Sequence, residues 1–294
     1  MDDPQFRDGD GVFSDRIAAE RLRRRTRMGR FKRVPMRIIL PNLVTLLALS
    51  LGLTSIRFAA EARFPLAVAA VIAAAVLDGL DGRIARALEG ATRFGAELDS
   101  LADFVDFGVA PAFLLYFWSL HDIKSFGWFA AMVFAIACAL RLARFNVMIE
   151  DPERPAWSSH FFIGMPAPAG AIVVLLPLYL NLSVFGMPND PRFAPFEIVY
   201  ALIIAFLMVS RIPHFSGKKI GRVPREWVIA VLFGVAVTVL LVATFPMEML
   251  VVLTLAYLCL VPFSIRRYRA YVEAEQRAAA SIVMSAAPVE PGDQ

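Results

Sequence analysis

The sequence predicts an all-α fold: a polytopic membrane helical bundle of about eight transmembrane helices, preceded by an interfacial amphipathic segment. Of the 294 residues, 58% are hydrophobic and 19% are charged, and several apolar runs reach the roughly 20 residues that a helix needs to cross a bilayer. The mean hydropathy of +0.61 excludes an ordinary soluble domain. The runs are too long and continuous for the strands of a membrane barrel.

Hydropathy places the spans at about 38–58, 65–88, 99–120, 126–146, 161–182, 195–211, 227–244 and 247–265. Four parts follow: a basic juxtamembrane segment, a membrane domain, two additional C-terminal helices, and a tail whose end we expect to be disordered. Their limits are 1–35, 36–225, 226–268 and 269–294. The first part suits a helix on an anionic membrane surface, or a solvated tail that only fixes orientation.

Positive charge alternates along the connections between spans. Arginine and lysine cluster after spans two, four, six and eight, whereas the opposite connections have few, mainly Arg57, Arg63, Lys124 and Arg192. By the positive-inside rule, both termini are predicted to be cytoplasmic. The loop between spans two and three is then cytoplasmic as well.

Four aspartates flank that loop, at a density unusual for so apolar a chain. Asp78 and Asp81 are three residues apart, and Asp99 and Asp103 are four apart, so each pair projects from one face of a helix. Four clustered carboxylates repel one another unless divalent cations lie between them. Oxygen-only ligands favour Mg²⁺ or Mn²⁺, and no cysteine or histidine set at ligand spacing offers a zinc site.

The remaining polar candidates leave alternatives open. Asn42 and Thr45 share a face of span one and could bind a ligand or only a neighbouring helix. Arg141 and Arg144, at the end of span four, could hold a phosphate or carboxylate or only set orientation. Asp106 could be a fifth acid of the site or a hydrogen-bonded bystander, and we favour the second.

The carboxylates indicate a reaction type more clearly than a substrate. Two divalent ions held by aspartates can clamp a diphosphate, neutralise charge on the leaving phosphate and activate a hydroxyl for in-line attack. The sequence has no Walker loop, which argues against an ordinary ATPase. A cation transporter would also use acidic residues, but clustering around one loop argues against an ion path across the membrane.

The spacing of these residues resembles the signature of the CDP-alcohol phosphotransferase family. The matching positions are Asp78-x-x-Asp81-Gly82-x-x-Ala85-Arg86, then eight residues, then Gly95-x-x-x-Asp99-x-x-x-Asp103. Further runs resemble its bacterial serine-using branch: Asn42-x-x-Thr45, FGVAPA at 107–112, LRLARFN at 140–146 and GMPAPAGA at 164–171. The resemblance covers roughly residues 36–225.

The resemblance implies transfer of a phosphatidyl group from CDP-diacylglycerol to L-serine, with release of CMP. It assigns Asp78, Asp81, Asp99 and Asp103 to about two Mg²⁺ or Mn²⁺ ions, and makes Asp103 the base that deprotonates serine. The implied contacts to CDP and its diphosphate are Asn42, Thr45, Gly82, Ala85, Arg86 and Gly95. Arg141 and Arg144 are candidates for the acceptor's anionic group.

The resemblance further implies a homodimer in the bacterial inner membrane, with the active site facing the cytoplasm and no nucleic-acid partner. The acceptor could instead be choline, glycerol phosphate or inositol phosphate. A phosphorylated acceptor would need extra basic residues, and Arg141 with Arg144 could serve it as well as they could serve a serine carboxylate.

Overall fold

The structure is a computed structural model that describes residues 36–88, 90, 92–149, 161–215 and 225–286. The juxtamembrane segment at 1–35 and residues 287–294 lie outside the described residues. The prediction of an all-α membrane bundle is confirmed.

The helices of the first half of the chain form the part of the bundle that holds the aspartates. They are α1 (Met36–Ala60), α2 (Phe64–Ala87), α3 (Arg93–Asp103), a π-helical segment (Phe104–Val109) and α4 (Ala110–Trp118), followed by a 3₁₀ turn (Leu120–Ile123) and α5 (Lys124–Ile149). The third span therefore begins at Arg93, six residues before its predicted start, because the Thr92 side chain accepts a hydrogen bond from Gly95 N and caps α3.

The second half of the chain is less regular. It contains β1 (Phe161–Ile163), α6 (Ala167–Val174), α7 (Leu176–Leu182), α8 (Ala194–Val209), β2 (Pro213–Phe215), a 3₁₀ turn (Arg225–Trp227), α9 (Val228–Thr244) and α10 (Pro246–Ala286). The strands β1 and β2 pair antiparallel, with Phe162 opposite His214. The helix α10 continues well past the predicted end of the last span.

The predicted count of eight spans is not confirmed. Among the described residues, five helical stretches are long and apolar enough to cross a membrane: Met36–Ala60, Phe64–Ala87, Arg93–Trp118, Leu120–Met148 and Pro246–Tyr268. The helices α8 and α9 are shorter apolar helices at the predicted sixth and seventh spans. The predicted fifth span is divided into β1, α6 and α7, with a break at Leu175.

The inner face of α1 explains why the helices around the aspartates lie close together. Its buried residues recur every three or four positions, as expected for one face of a helix. They are Pro41, Thr45, Ala48, Gly52, Ser55 and Ala59. Because all six are small, neighbouring helices can approach the α1 backbone closely, as is common where membrane helices pack.

Candidate active site

Three of the four predicted aspartates form one cluster. Asp78 lies near the end of α2, and Asp99 and Asp103 lie one turn apart on α3. Each offers a carboxylate oxygen, and these three oxygens lie within 4.8 Å of one another. All three side chains are partly buried, so water screens their repulsion incompletely. This all-oxygen arrangement could hold a metal ion, and its chemistry fits a hard divalent cation.

Asp81 lies beside this cluster and is held differently. Its residue is 4% exposed, and its Oδ2 accepts a hydrogen bond of 2.6 Å from Thr45 Oγ1 on α1. The same hydroxyl lies 3.1 Å from the carbonyl oxygen of Pro41. The hydrogen bond therefore connects the C-terminal part of α2, which carries Asp81, to α1. It gives Thr45, which was predicted only as a candidate, a definite carboxylate partner.

An open cavity of about 270 Å³ lies between α1, α2 and α3, next to the cluster. Asp81 and Asp99 form part of its wall, so the cavity opens directly onto the carboxylates. Its lining includes every residue predicted to contact CDP: Asn42, Thr45, Gly82, Ala85, Arg86 and Gly95. Residues from three helices, separated by more than fifty positions in sequence, are thus brought to one space.

Gly95 leaves space for the Asn42 side chain at the start of α3. A Cβ atom there would lie 2.9 Å from Asn42 Oδ1 and 3.2 Å from Thr92 Oγ1. Asn42 could not keep its place beside the α3 N-terminus if that atom were present. Backbone N–H groups at a helix N-terminus also favour negatively charged ligands, and Gly95 N is occupied by the Thr92 cap.

Four lining residues were not predicted from the sequence: Pro41, Gly90, Thr92 and Ala96. Thr92 carried a detectable signal, because threonine is one of the residues preferred at the N-cap position of a helix. Ala96 and Pro41 lie on helix faces with small side chains, and the space that these leave for a cavity is apparent only once the neighbouring helix is known. Their role is visible only in the packed structure.

Arg141 on α5 supplies positive charge close to the cluster. It is 9% exposed, lies with its guanidinium carbon 5.1 Å from the centre of the Phe145 ring, and is within electrostatic range of Asp78 and Asp103. A buried arginine beside carboxylates reduces their mutual repulsion. It does not belong to the cavity wall described above.

Arg144, three residues further, lies in a different environment. One nitrogen of its guanidinium donates hydrogen bonds to the carbonyl oxygens of Val209, at 2.5 Å, and Ser210, at 3.4 Å. These carbonyls end α8, where a cation is favourably placed. On the same helix, Asn146 Nδ2 donates a 3.0 Å hydrogen bond to Ser100 Oγ, which joins α5 to α3 beside Asp99.

Comparison with known proteins agrees with this geometry. The model of the CDP-alcohol phosphatidyltransferase family matches residues 38–209, which include all four aspartates and the whole cavity. The chain is 41% identical over 231 residues to the CDP-diacylglycerol–serine O-phosphatidyltransferase of Mycobacterium leprae, covering 79% of this chain and 76% of that protein.

Two more distant relatives have the same name. The Helicobacter pylori protein is 34% identical over 220 residues, covering 75% of this chain and 88% of the relative. The Bacillus subtilis protein is 34% identical over 185 residues, covering 60% of this chain and 91% of the relative. The aspartate cluster, the adjoining cavity and these matches together place the chain in the CDP-alcohol phosphatidyltransferase family.

Proposed function

We propose that this protein transfers the phosphatidyl group of CDP-diacylglycerol to L-serine, forming phosphatidylserine and CMP. The observation that carries the proposal is the cluster of Asp78, Asp99 and Asp103, whose carboxylate oxygens lie within 4.8 Å of one another and of which Asp99 lines a cavity. The names of the similar proteins support serine as the acceptor.

The carboxylates would hold the divalent cations, Mg²⁺ or Mn²⁺, and we propose two ions. Asp78, Asp99 and Asp103 are placed to share one ion, and Asp81, at the cavity wall, would help to hold a second. When bound, the ions would neutralise the diphosphate and stabilise charge on the departing CMP phosphate. The remaining tasks, which are binding, orientation and proton removal, belong to the side chains.

The cavity would receive the CDP part of the donor. Gly82 and Ala85 leave space on the α2 side, Arg86 is placed to meet a phosphate, and Asn42 faces α3 across Gly95. A lipid donor can remain in the bilayer while its nucleotide enters this cavity, because the lining residues lie at the ends of membrane-spanning helices.

Asp103 is the proposed proton acceptor. A serine hydroxyl is a poor nucleophile at neutral pH and needs a base close to the phosphorus that it attacks. The hydroxyl oxygen would form a bond to the phosphorus that carries diacylglycerol, the bond from that phosphorus to the CMP oxygen would break, and the hydroxyl proton would pass to Asp103. Asp103 is suited to this task because it belongs to the cluster but does not line the cavity proposed for CDP, so its carboxylate is left for the acceptor.

Arg141 is the stronger candidate for binding the serine carboxylate. It lies within electrostatic range of Asp78 and Asp103, where the acceptor must react, whereas Arg144 is engaged with the carbonyls that end α8. Choline has no anionic group that Arg141 could bind, whereas glycerol phosphate and inositol phosphate each have a phosphate that it could bind. The choice among acceptors therefore needs a direct assay.

We also propose a location and an assembly. The charge pattern of the connections supports an orientation with the aspartates and both termini at the cytoplasmic face of the bacterial inner membrane. A homodimer is proposed from the family resemblance. Cysteine accessibility in intact cells tests the orientation, and light scattering of the purified protein in detergent tests the assembly.

The decisive assay supplies purified protein with CDP-diacylglycerol, Mn²⁺ or Mg²⁺, and serine, choline, glycerol phosphate or inositol phosphate in turn. CMP release that requires serine, with phosphatidylserine as the lipid product, is the expected result. Asp103→Asn should lower turnover by about 10²-fold to 10⁴-fold, because a positioned base contributes that much, whereas Asp190→Asn, in the connection before α8, should not. Near-normal turnover of Asp103→Asn, or CMP release without serine, would refute the proposal.

A further inference from the structure

A widened helical turn follows the aspartate cluster directly. The π-helical segment Phe104–Val109 begins at the residue after Asp103 and separates α3 from α4 within one membrane span. Such π-helical segments are rare, and those that do occur within α-helices often lie at functional sites. Asp106 lies within this segment and is 1% exposed.

The backbone of α1 makes room for the Asp106 carboxylate. A Cβ atom at Gly52 would collide with Asp106 Oδ1 and would lie 2.9 Å from its Cγ. Only glycine therefore lets the acid pack against α1 in this position. Both the wide turn on one helix and the missing side chain on the other serve to place a carboxylate where an apolar residue would pack more easily.

Asp106 Oδ1 is buried and has no hydrogen-bond partner among the described residues. Asp81, which is also buried, shows the usual solution, since it accepts the Thr45 hydroxyl. A buried carboxylate oxygen without a donor costs free energy, and it is most simply explained by a water molecule or an ion that completes it. Asp106 lies within electrostatic range of Asp78 and Asp81, three residues after Asp103 in the same span.

We propose that Asp106 is a fifth carboxylate of the cation site, which supports a divalent ion held by Asp78, Asp99 and Asp103 through an intervening water molecule. The proposal rests on the proposed function, because it presumes that the cluster binds a cation. It replaces the sequence-based interpretation of Asp106 as a hydrogen-bonded bystander, since Oδ1 has no such bond. Asp106 is a positioning residue that raises cation affinity without touching the substrate.

Cation binding can be measured without turnover. Free Mn²⁺ is followed by electron paramagnetic resonance as it is titrated into purified protein in detergent, with neither CDP-diacylglycerol nor serine present. Asp106→Asn keeps the side-chain volume and should weaken Mn²⁺ binding by about 10-fold to 100-fold, the usual effect of removing a group that acts on a metal through a ligand. Asp99→Asn should weaken it more.

Tyr179→Phe is the matched control. The Tyr179 hydroxyl is likewise buried and without a hydrogen-bond partner among the described residues, but it lies on α7, away from the aspartates. Its removal should leave Mn²⁺ affinity unchanged. An unchanged affinity for Asp106→Asn, with Asp99→Asn impaired, would overturn the role of Asp106 while leaving the proposed function intact. Wild-type protein that binds no Mn²⁺ would overturn both.

A second pair of variants leaves Asp106 in place and keeps the proposal testable if Asp106→Asn is not recovered folded. Gly52→Ala should displace the carboxylate and weaken Mn²⁺ binding, because the added methyl group occupies the position of Oδ1. Gly79→Ala, next to Asp78, should have no effect, since its Cβ would have no neighbour within 4 Å. Equal Mn²⁺ affinities for Gly52→Ala and Gly79→Ala would contradict the proposal.

Discussion

Two cavities of nearly equal size lie at opposite ends of the bundle, and their walls differ in chemistry. The cavity beside the aspartates measures about 270 Å³, and a second one of about 280 Å³ is lined by Trp118, Asn181, Glu197 and Tyr200 together with apolar side chains. Asp99 lies near the start and Trp118 at the end of one membrane span, so the two residues are separated by roughly 28 Å along the helix.

In the second cavity, the polar groups satisfy one another. Trp118 Nε1 donates to Asn181 Oδ1 at 3.3 Å, Tyr200 Oη donates to the Val173 carbonyl at 2.7 Å, and Ser119 Oγ donates to Glu197. Beside the first cavity, three carboxylates face one another. Volume therefore does not distinguish the two cavities, whereas uncompensated charge does.

The largest difference between the two ends should come from neutralising the aspartate cluster. Asp78→Asn and Asp99→Asn each remove a proposed metal ligand, and each should lower phosphatidyl transfer by at least about 10²-fold, the scale of losing one electrostatic contact to a transition state. Removing divalent cations from the wild-type protein with EDTA should have the same effect, and added Mn²⁺ should restore activity. CMP release from CDP-diacylglycerol measures each case, and full activity in EDTA would contradict the comparison.

A smaller effect is expected from crowding the cavity at Gly95. The methyl group of Gly95→Ala would lie 2.9 Å from Asn42 Oδ1 and force Asn42 to move. We expect KM for CDP-diacylglycerol to rise between about 10-fold and 100-fold, as small displacements of positioning residues do, with a lesser change in kcat. Gly234→Ala on α9 is the control, because its Cβ would meet nothing within 4 Å. A lower kcat with an unchanged KM would assign Gly95 to the chemical step instead.

Thr45→Val tests the carboxylate of the first cavity whose partner is a hydroxyl, Asp81. The substitution keeps the shape but leaves Asp81 Oδ2 without its 2.6 Å hydrogen bond, so kcat/KM should fall by about tenfold. Thr238→Val on α9 removes a hydroxyl that bonds only to the Gly234 carbonyl of its own helix, and it should leave kcat/KM unchanged. Equal kcat/KM values for the two variants would show that the Thr45 contact does not support Asp81.

The sequence predicted the residues around the first cavity better than it predicted the helices that carry them. Spacing alone placed Asp78 with Asp81 and Asp99 with Asp103, because i, i+3 and i+4 positions share a helix face wherever the helix lies. The separation of Asp81 from the other three depends on Thr45 from a distant helix. The close packing of Asp106 against α1 depends on Gly52, which is also distant in sequence, so neither feature has a local signal.

The last two helices show the same limit. Hydropathy predicts similar apolar spans for α9 and α10. In the structure, α9 has no buried residue, whereas α10 buries Val251, Thr254 and Ser264 against the bundle. Apolar residues suit lipid and protein neighbours equally, so composition cannot distinguish a helix that faces lipid from one that packs.

The smallest effect should come from the carboxylate at the opposite end. Glu197→Gln removes a negative charge from the second cavity but keeps an oxygen that can accept the Ser119 hydroxyl. Phosphatidyl transfer should stay within about twofold of wild type, and the loss of unfolding free energy should be about 1 kcal/mol, the difference between a charged and a neutral acceptor. The same CMP assay and a thermal unfolding curve in detergent measure the two quantities. A loss of transfer as large as that of Asp99→Asn would mean that both ends of the bundle act in the reaction, and uncompensated charge would then no longer distinguish the active cavity from the inert one.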